Sequence, residues 1–579
     1  MKNRDWTAST HKTSILLFLC AVLAACYQVS WKKQHSADTE NGRAYSVTSA
    51  NDHSGNVIVG GASSVQIEEN DLGEEKIHFQ PLVLKYDKQG NLLWQFSFDN
   101  QRRRNPDQYH YYTGGAEIQH LVVDTNNNIF AAGMVPGTLY SSNPQDYDVA
   151  LFKISANGEL VWQRIIERPT QDSILALGLN EETHRILLAL GHNEFNQTSS
   201  VEALALSTLN GETLWSQEHA DEFNDSFLFS FIETSLAETH QAAASKNRIA
   251  LGSSRNRVWV YDDMGQLLFD LPNNASEDGL SEYEPSSPSN QQNNATSGPD
   301  TGIACSGDGG TANAVVGLAF FEQDLYVAET HSYFFCASSW SLMALKRVDA
   351  DGALVWQTTL PDPLGLETSE QYNEYQAGNT NYFPAFSTRA YITGAEVITN
   401  NNAVYVAARG TSFYYTTQLI NPTLTADSVI YSLNHSGETH WHHLISARPK
   451  ISESSDLFQP IHIESTWNTA SALSTSAQGH LIVALNTQTV EGYPAYIYDL
   501  ASTQLSSFGS SLIELDANTG EADYFATEAG YFARTVLTLP DNSVVKVGDS
   551  FEHKPIWWWM HPEGTPNEAS VIHLSRYTQ

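Results

Sequence analysis

Aromatic side chains crowd several of the longer polar stretches of this chain. Tyr111 and Tyr112, Tyr382, Tyr414 and Trp558 stand in separate stretches, with further rings such as Phe383 and Trp557 beside them. A ring carrying a hydroxyl or an indole N–H stacks on a sugar or a peptide and hydrogen-bonds at its edge, so these residues are candidate ligand contacts. The plainer reading is that long loops pack on one another and use the rings as a satellite core. Arg102 to Arg104 form a dense positive run. Arg103 at its centre can clasp a carboxylate or stand as part of a solvated turn. His440 and His442 flank Trp441 and share one face of a strand. They could be a metal pair, but an outer strand half in water accounts for them as well, and no metal is assigned. The chain lacks Gly-x-Ser-x-Gly, His-Glu-x-x-His, Walker and dinucleotide fingerprints, so no catalytic residue and no cofactor is assigned either.

The elements that would carry these residues follow a repeat. A strand, a tight turn with glycine and an aromatic four positions after that glycine recur along the chain. The pairs are Gly90 with Trp94, Gly158 with Trp162, Gly211 with Trp215, Gly265 with Phe269, Gly352 with Trp356, Gly437 with Trp441 and Gly520 with Tyr524. Glycine accepts the positive φ that such turns require, and the flanking residues alternate as strands do. Each copy follows a second hairpin whose strands are rich in small residues, as in residues 118–133 and 395–410. Two hairpins make a four-stranded sheet, and a radial array of such sheets is a β-propeller. The fold class read here is therefore all-β, a single propeller of four-stranded blades. Residues 534–548 and 571–577 supply three strands of a last unit, and YQVSWKK (27–33) supplies a strand with Trp31 and no partner of its own. Pairing the two termini gives eight blades and removes an open sheet edge. The competing count is seven, with Trp31 in a tether.

In such a ring the long segments all emerge on one face, because they join outer strands to the next blade or second strands to third strands. Binding residues usually gather on such loops. The stretch 273–304 is a low-complexity acidic insertion.

The first residues bear on compartment. Lys2, Arg4 and Lys12 precede an apolar run from Ile15 to Ala24. About ten apolar residues are too few to span a bilayer, which takes about 20, so residues 1–25 read as a signal peptide. The end of that run, Leu23-Ala24-Ala25-Cys26, resembles the lipobox of bacterial lipoproteins. That resemblance implies a lipid on Cys26, a mature chain of residues 26–579 and, with Tyr27 rather than Asp in the next position, residence at the outer membrane. Beyond Cys26 only Cys305 and Cys336 remain. An even number in an oxidising compartment makes a disulfide the expectation, worth roughly 3–4 kcal/mol for a loop of that size. Removing residues 1–25 takes away three cations and one anion, bringing the net charge from −36 to −38. A surface that negative excludes nucleic acid as a partner.

The Gly-x-x-x-Trp hairpin resembles the repeat of the quinoprotein-like propellers, of bacterial β-propeller-repeat lipoproteins, and of the propeller lipoprotein in the outer-membrane β-barrel assembly machinery. The resemblance implies the blade and says little about the ligand. Quinoprotein dehydrogenases carry adjacent cysteines beneath their cofactor, and no Cys-Cys pair occurs here. The reading is a lipid-anchored binding or scaffolding module for a protein or glycan. Its rival is a periplasmic enzyme, either a glycan hydrolase or lyase or a degenerate quinoprotein dehydrogenase.

Overall fold

The computed structural model describes residues 27–37, 42–69, 75–98, 116–137, 147–168, 171–193, 199–221, 241–253, 257–271, 310–335, 338–360, 388–414, 423–445, 450–452, 462–492, 503–550 and 571–578. They form eight four-stranded antiparallel blades in a ring. From axis to rim, blade 1 is Ala44–Asn51, Val57–Glu69, Glu75–Tyr86 and Leu92–Ser97, and blade 2 is Glu117–Val123, Ile129–Pro136, Tyr147–Ile154 and Leu160–Ile166. Blade 3 is Gln171–Asn180, Arg185–Asn193, Ser199–Ser207 and Thr213–Asp221, and blade 4 is Gln241–Ala244, Arg248–Gly252, Val258–Asp262 and Leu267–Leu271. Blade 5 is Gly310–Phe321, Asp324–Phe335, Ser338–Val348 and Leu354–Thr359, and blade 6 is Thr388–Thr399, Val404–Tyr414, Thr423–Leu433 and Thr439–Ile445. Blade 7 is His462–Thr475, Leu481–Gly492, Thr503–Leu515 and Ala522–Ala529, with Lys450–Ser452 added at its inner edge.

Blade 8 settles the count. Its first three strands are Phe532–Thr538, Val544–Asp549 and Val571–Thr578, and its outer strand is Gln28–Ser36 from the other end of the chain. The pairing is antiparallel, from Gln28 opposite Thr578 to Ser36 opposite Val571. The ring is thus eight-bladed and sealed by the N-terminal strand, which leaves no open edge between first and last blades.

Apolar residues on both faces of each sheet pack between blades. One cluster joins Val57, Val59, Leu82 and Leu84 of blade 1 to Val545, Val547, Ile572 and Leu574 of blade 8. Another joins Ala250, Val258 and Val260 of blade 4 to Val315, Leu325 and Val327 of blade 5.

The repeated glycine and aromatic meet across blades, not within one. A Cβ on Gly158 would fall 2.8 Å from the ring of Trp94, the aromatic of the preceding blade. Trp31 stands in the same relation to Gly90, Trp162 to Gly211, Trp215 to Gly265, Phe269 to Gly352, Trp356 to Gly437 and Trp441 to Gly520. Each of these indoles also donates its Nε1–H to a carbonyl in the turn it covers, as Trp31 does to Lys88 at 3.0 Å and Trp356 to His435 at 2.8 Å. Phe269 has no such proton, and Arg248 of the same blade donates to the carbonyl of Ala350 instead, at 3.0 Å. In every case a one-residue bulge immediately precedes the aromatic, at Ser30, Leu93, Val161, Leu214, Leu268, Val355 and His440. A bulge turns the side chain that follows it, here toward the next blade.

Tyr524 departs from the expectation that all seven aromatics behave alike. The third and fourth strands of blade 8 come from distant parts of the chain and are not joined by a turn, and among the described residues no glycine meets Tyr524, which is 56% exposed. The bulge there falls two residues later, at Phe525, after Tyr524 instead of before it. Phe525 stacks on the buried Tyr27 with ring centres 4.1 Å apart and meets Tyr577 edge-on at 5.9 Å. A three-ring stack thus replaces the aromatic–glycine contact at the seam.

Candidate binding face

The first turn of every blade and the third turn of blades 1 to 7 lie at one end of the strands, and the connections from second to third strand and from blade to blade lie at the other. Turns at the first end are short and internally bonded: Asp87 accepts from the backbone N–H of Gln89 and Asn91 through Oδ1, and Gly90 N–H donates to its carbonyl. Strands at the second end are joined by the longest connecting stretches of the sequence, among them 99–115, 272–309, 361–387 and 551–570. Arg103, Tyr111, Tyr112, Tyr382 and Trp558 belong to those stretches and lie outside the described residues, as do Cys26, Cys305 and Cys336. Tyr414 is the last residue of a strand at this end, with its side chain outside the described residues.

At this same end, beside the axis, blades 8, 1 and 2 bring together a polar cluster that sequence reasoning missed. Tyr45 is the second residue of the blade 1 inner strand, and its hydroxyl donates to Glu117 Oε2 at 2.8 Å. Gln119 Nε2 donates to Glu117 Oε1 at 2.9 Å. Asp549, wholly buried, accepts from Arg534 Nε at 3.1 Å and from the backbone N–H and hydroxyl of Ser46, both at 3.2 Å. Burial pushes both carboxyls above their ordinary range, against the pull of Tyr45 and Gln119 on Glu117 and of Arg534 on Asp549. His120 is held below the usual histidine range by burial, with its Nε2 3.2 Å from the Ile174 carbonyl.

A second carboxyl of this kind is Glu396 of the blade 6 inner strand, where burial raises the pKa to about 7 despite Arg409. The sequence held a signal for the pair. Gly115-Ala116-Glu117-Ile118 and Gly394-Ala395-Glu396-Val397 follow one four-residue pattern in two inner strands, although Glu117 starts its strand opposite Met134 and Glu396 lies opposite Ala407, nearer the first turn. Asp549, Arg534 and Tyr45 carry no such mark.

Blade 3 holds a buried charged network at this end. His192 Nδ1 lies 2.7 Å from Asp172 and its Nε2 3.2 Å from Glu202, which also takes Arg168 at 2.6 Å. Burial opposes a charge on the ring, but the two carboxylates outweigh it and raise the His192 pKa to about 9. His440 and His442, by contrast, are both exposed on the rim of blade 6, with His440 in the bulge.

Among the described residues no group of three or more His, Cys, Asp or Glu side chains is arranged to hold a metal ion. The residues do not fit a quinone cofactor: the adjacent cysteines of the quinoproteins are missing, and the axial Arg534 and Asp549 are engaged with each other and with Ser46.

No protein-family model and no curated protein matches the sequence. Solved structures with a similar course of chain include the quinohemoprotein alcohol dehydrogenase of Comamonas testosteroni, at 10% identity and a TM-score of 0.42 over 96% of this chain and 77% of that one. The β-propeller domain of the Trilobed protease from Pyrococcus furiosus matches at 7% identity and 0.34 over 84% of this chain and 96% of that one. Drosophila Plexin A, in complex with Semaphorin 1b, matches at 8% and 0.33 over 95% and 87%. At these identities and scores the likenesses add nothing to what the strand pairing establishes.

Proposed function

We propose that this chain is a lipoprotein of the outer membrane whose propeller is a binding or scaffolding module, taking a protein or glycan ligand on the long-loop face. The observation that carries this reading is that Glu117 and Asp549, the carboxyls of the cluster where blades 8, 1 and 2 meet, are already engaged by the protein. Both oxygens of Glu117 accept from Tyr45 and Gln119, and both oxygens of Asp549 accept from Arg534. A glycan hydrolase or lyase needs a carboxyl that can exchange a proton with substrate, within hydrogen-bond reach of it. Carboxyls bonded in this way brace the axial end of the ring instead. The long connecting stretches around it carry the aromatic and arginine candidates, Tyr111, Tyr112, Tyr382, Tyr414, Trp558 and Arg103.

Anchoring is tested by Cys26→Ala, which is expected to stay folded and to leave the membrane on alkaline wash. Retention of the variant would refute the lipid anchor. The binding face is tested by capture from detergent-solubilised outer membranes and by glycan binding, each with the wild-type chain and a Tyr112→Ala/Trp558→Ala variant. Equal capture by both chains would refute the assignment to this face.

A further inference from the structure

The large apolar side chains that stay exposed among the described residues gather at one place. Leu92, Leu93, Leu160, Val161, Leu354 and Val355 are 42–57% exposed, and each pair directly follows the third turn of its blade. Leu209 and Met264, at the tips of that turn in blades 3 and 4, are 67% and 62% exposed. Val29 holds the matching position in the N-terminal strand and is 50% exposed. The contact between Trp and glycine does not demand apolar neighbours there. Blade 6 has Thr439 and His440 in the same two positions and still seats Trp441 over Gly520. An arc of exposed apolar residues that the fold does not require marks a contact surface.

The chain enters the ring at this rim. Tyr27 is buried against Phe525, and Gln28 begins the outer strand of blade 8 at the same end as the turns. Cys26 is the residue before Tyr27, so a lipid on it would leave the protein beside Val29 and the turn of Gly90, which Trp31 covers. Lys33 and Lys88 stand by that turn, in a chain of net charge −36. We infer that the short-turn rim rests on the phospholipid surface that holds the Cys26 lipid, with the long-loop face turned away from it. The inference rests on the lipoprotein reading and adds an orientation to it: the apolar arc enters the interfacial layer while the acyl chains hold it there.

Amide hydrogen exchange on the full lipidated chain in phosphatidylcholine vesicles, compared with soluble Cys26→Ala, tests the orientation. Amides of residues 88–93, 156–161 and 209–214 should exchange at least tenfold more slowly on vesicles, and those of 166–168 and 219–221 at unchanged rates. A Leu93→Asp/Val161→Asp/Leu209→Asp variant, altered only at exposed positions, should keep its lipid and lose the protection. Unprotected turns on a lipidated chain, or protection at the opposite strand ends, would overturn the orientation and leave the anchor standing. Protection that appears only in native membranes and never in pure lipid would overturn it in favour of a protein partner. The mass of the N-terminal peptide reports lipidation separately, and an unlipidated terminus would overturn both readings.

Discussion

The indole of Trp94 covers Gly158 of the next blade so closely that a Cβ there would lie 2.8 Å from its ring, and its Nε1–H donates to Ala156 at 3.0 Å. Lys85, buried one strand inward, reaches the same carbonyl at 3.4 Å. A second donor recurs elsewhere: Lys153 joins Trp162 at Thr208, and Arg347 joins Trp356 at His435. A turn on one blade is thereby fixed by two strands of its neighbour, which is how rigid blades become a ring.

Gly158→Ala is expected to cost about 2–5 kcal/mol, from a left-handed backbone and an overpacked ring contact together. Gly530 has a similar positive φ, but a Cβ there would meet nothing within 4 Å, so Gly530→Ala should cost only about 1–2 kcal/mol. Urea unfolding of the two variants measures the difference. Equal losses would mean that the turn glycine serves the backbone alone.

Glu528 of blade 7 binds the last blade through Lys546 at 2.5 Å, Lys32 of the N-terminal strand and the Ser575 hydroxyl at 3.1 Å. Burial works against its charge, but Lys546 and Lys32 outweigh it and bring its pKa down to about 2. Its stabilising contribution is therefore complete above the ordinary glutamate range and is lost as pH falls toward 2. Glu528→Gln should cost about 3–5 kcal/mol at neutral pH, because Lys546 stays buried without its anion, and should flatten the acid limb of stability against pH. An unchanged acid limb would remove Glu528 from the seam.

For His192 the sign is opposite. Its pKa is raised to about 9, so its contribution is complete below the ordinary histidine range and is lost as pH rises through 9. The wild-type chain should lose stability between neutral pH and pH 9, and His192→Gln should be less stable at neutral pH and flatter across that window. Thermal melts across pH check both. Parallel profiles would mean that the ring is neutral in the folded chain.

The propeller was legible in the sequence because its fastening needs two residue types at a fixed spacing in almost every blade. Gly158 and Trp162 are forced to be what they are by different neighbours, yet the hairpin keeps them four apart. The N-terminal strand was legible for a similar reason, since Trp31 is a docked aromatic without a hairpin of its own. The exception at Tyr524 was not legible, because it depends on a bulge that moves by two residues and on a blade whose third and fourth strands are not joined by a turn. The axial cluster was hidden for another reason. Tyr45, Glu117, Arg534 and Asp549 come from three blades and meet only when the ring closes, and a single carboxylate in a strand has no spacing to betray it.

Trp31 and Tyr524 give the sharpest test of a ring fastened by aromatic–glycine contacts and sealed by residues 28–36. Both are aromatics on outer strands next to the seam, but Trp31 covers Gly90, whereas Tyr524 covers no glycine among the described residues and is 56% exposed. Unfolding of the two alanine variants should show Trp31→Ala destabilised by about 3 kcal/mol or more, and Tyr524→Ala within about 0.5 kcal/mol of the wild-type chain. A Trp31→Ala protein that unfolds like the wild type, or a Tyr524→Ala protein that loses as much as Trp31→Ala, would mean that the ring is not held in this way.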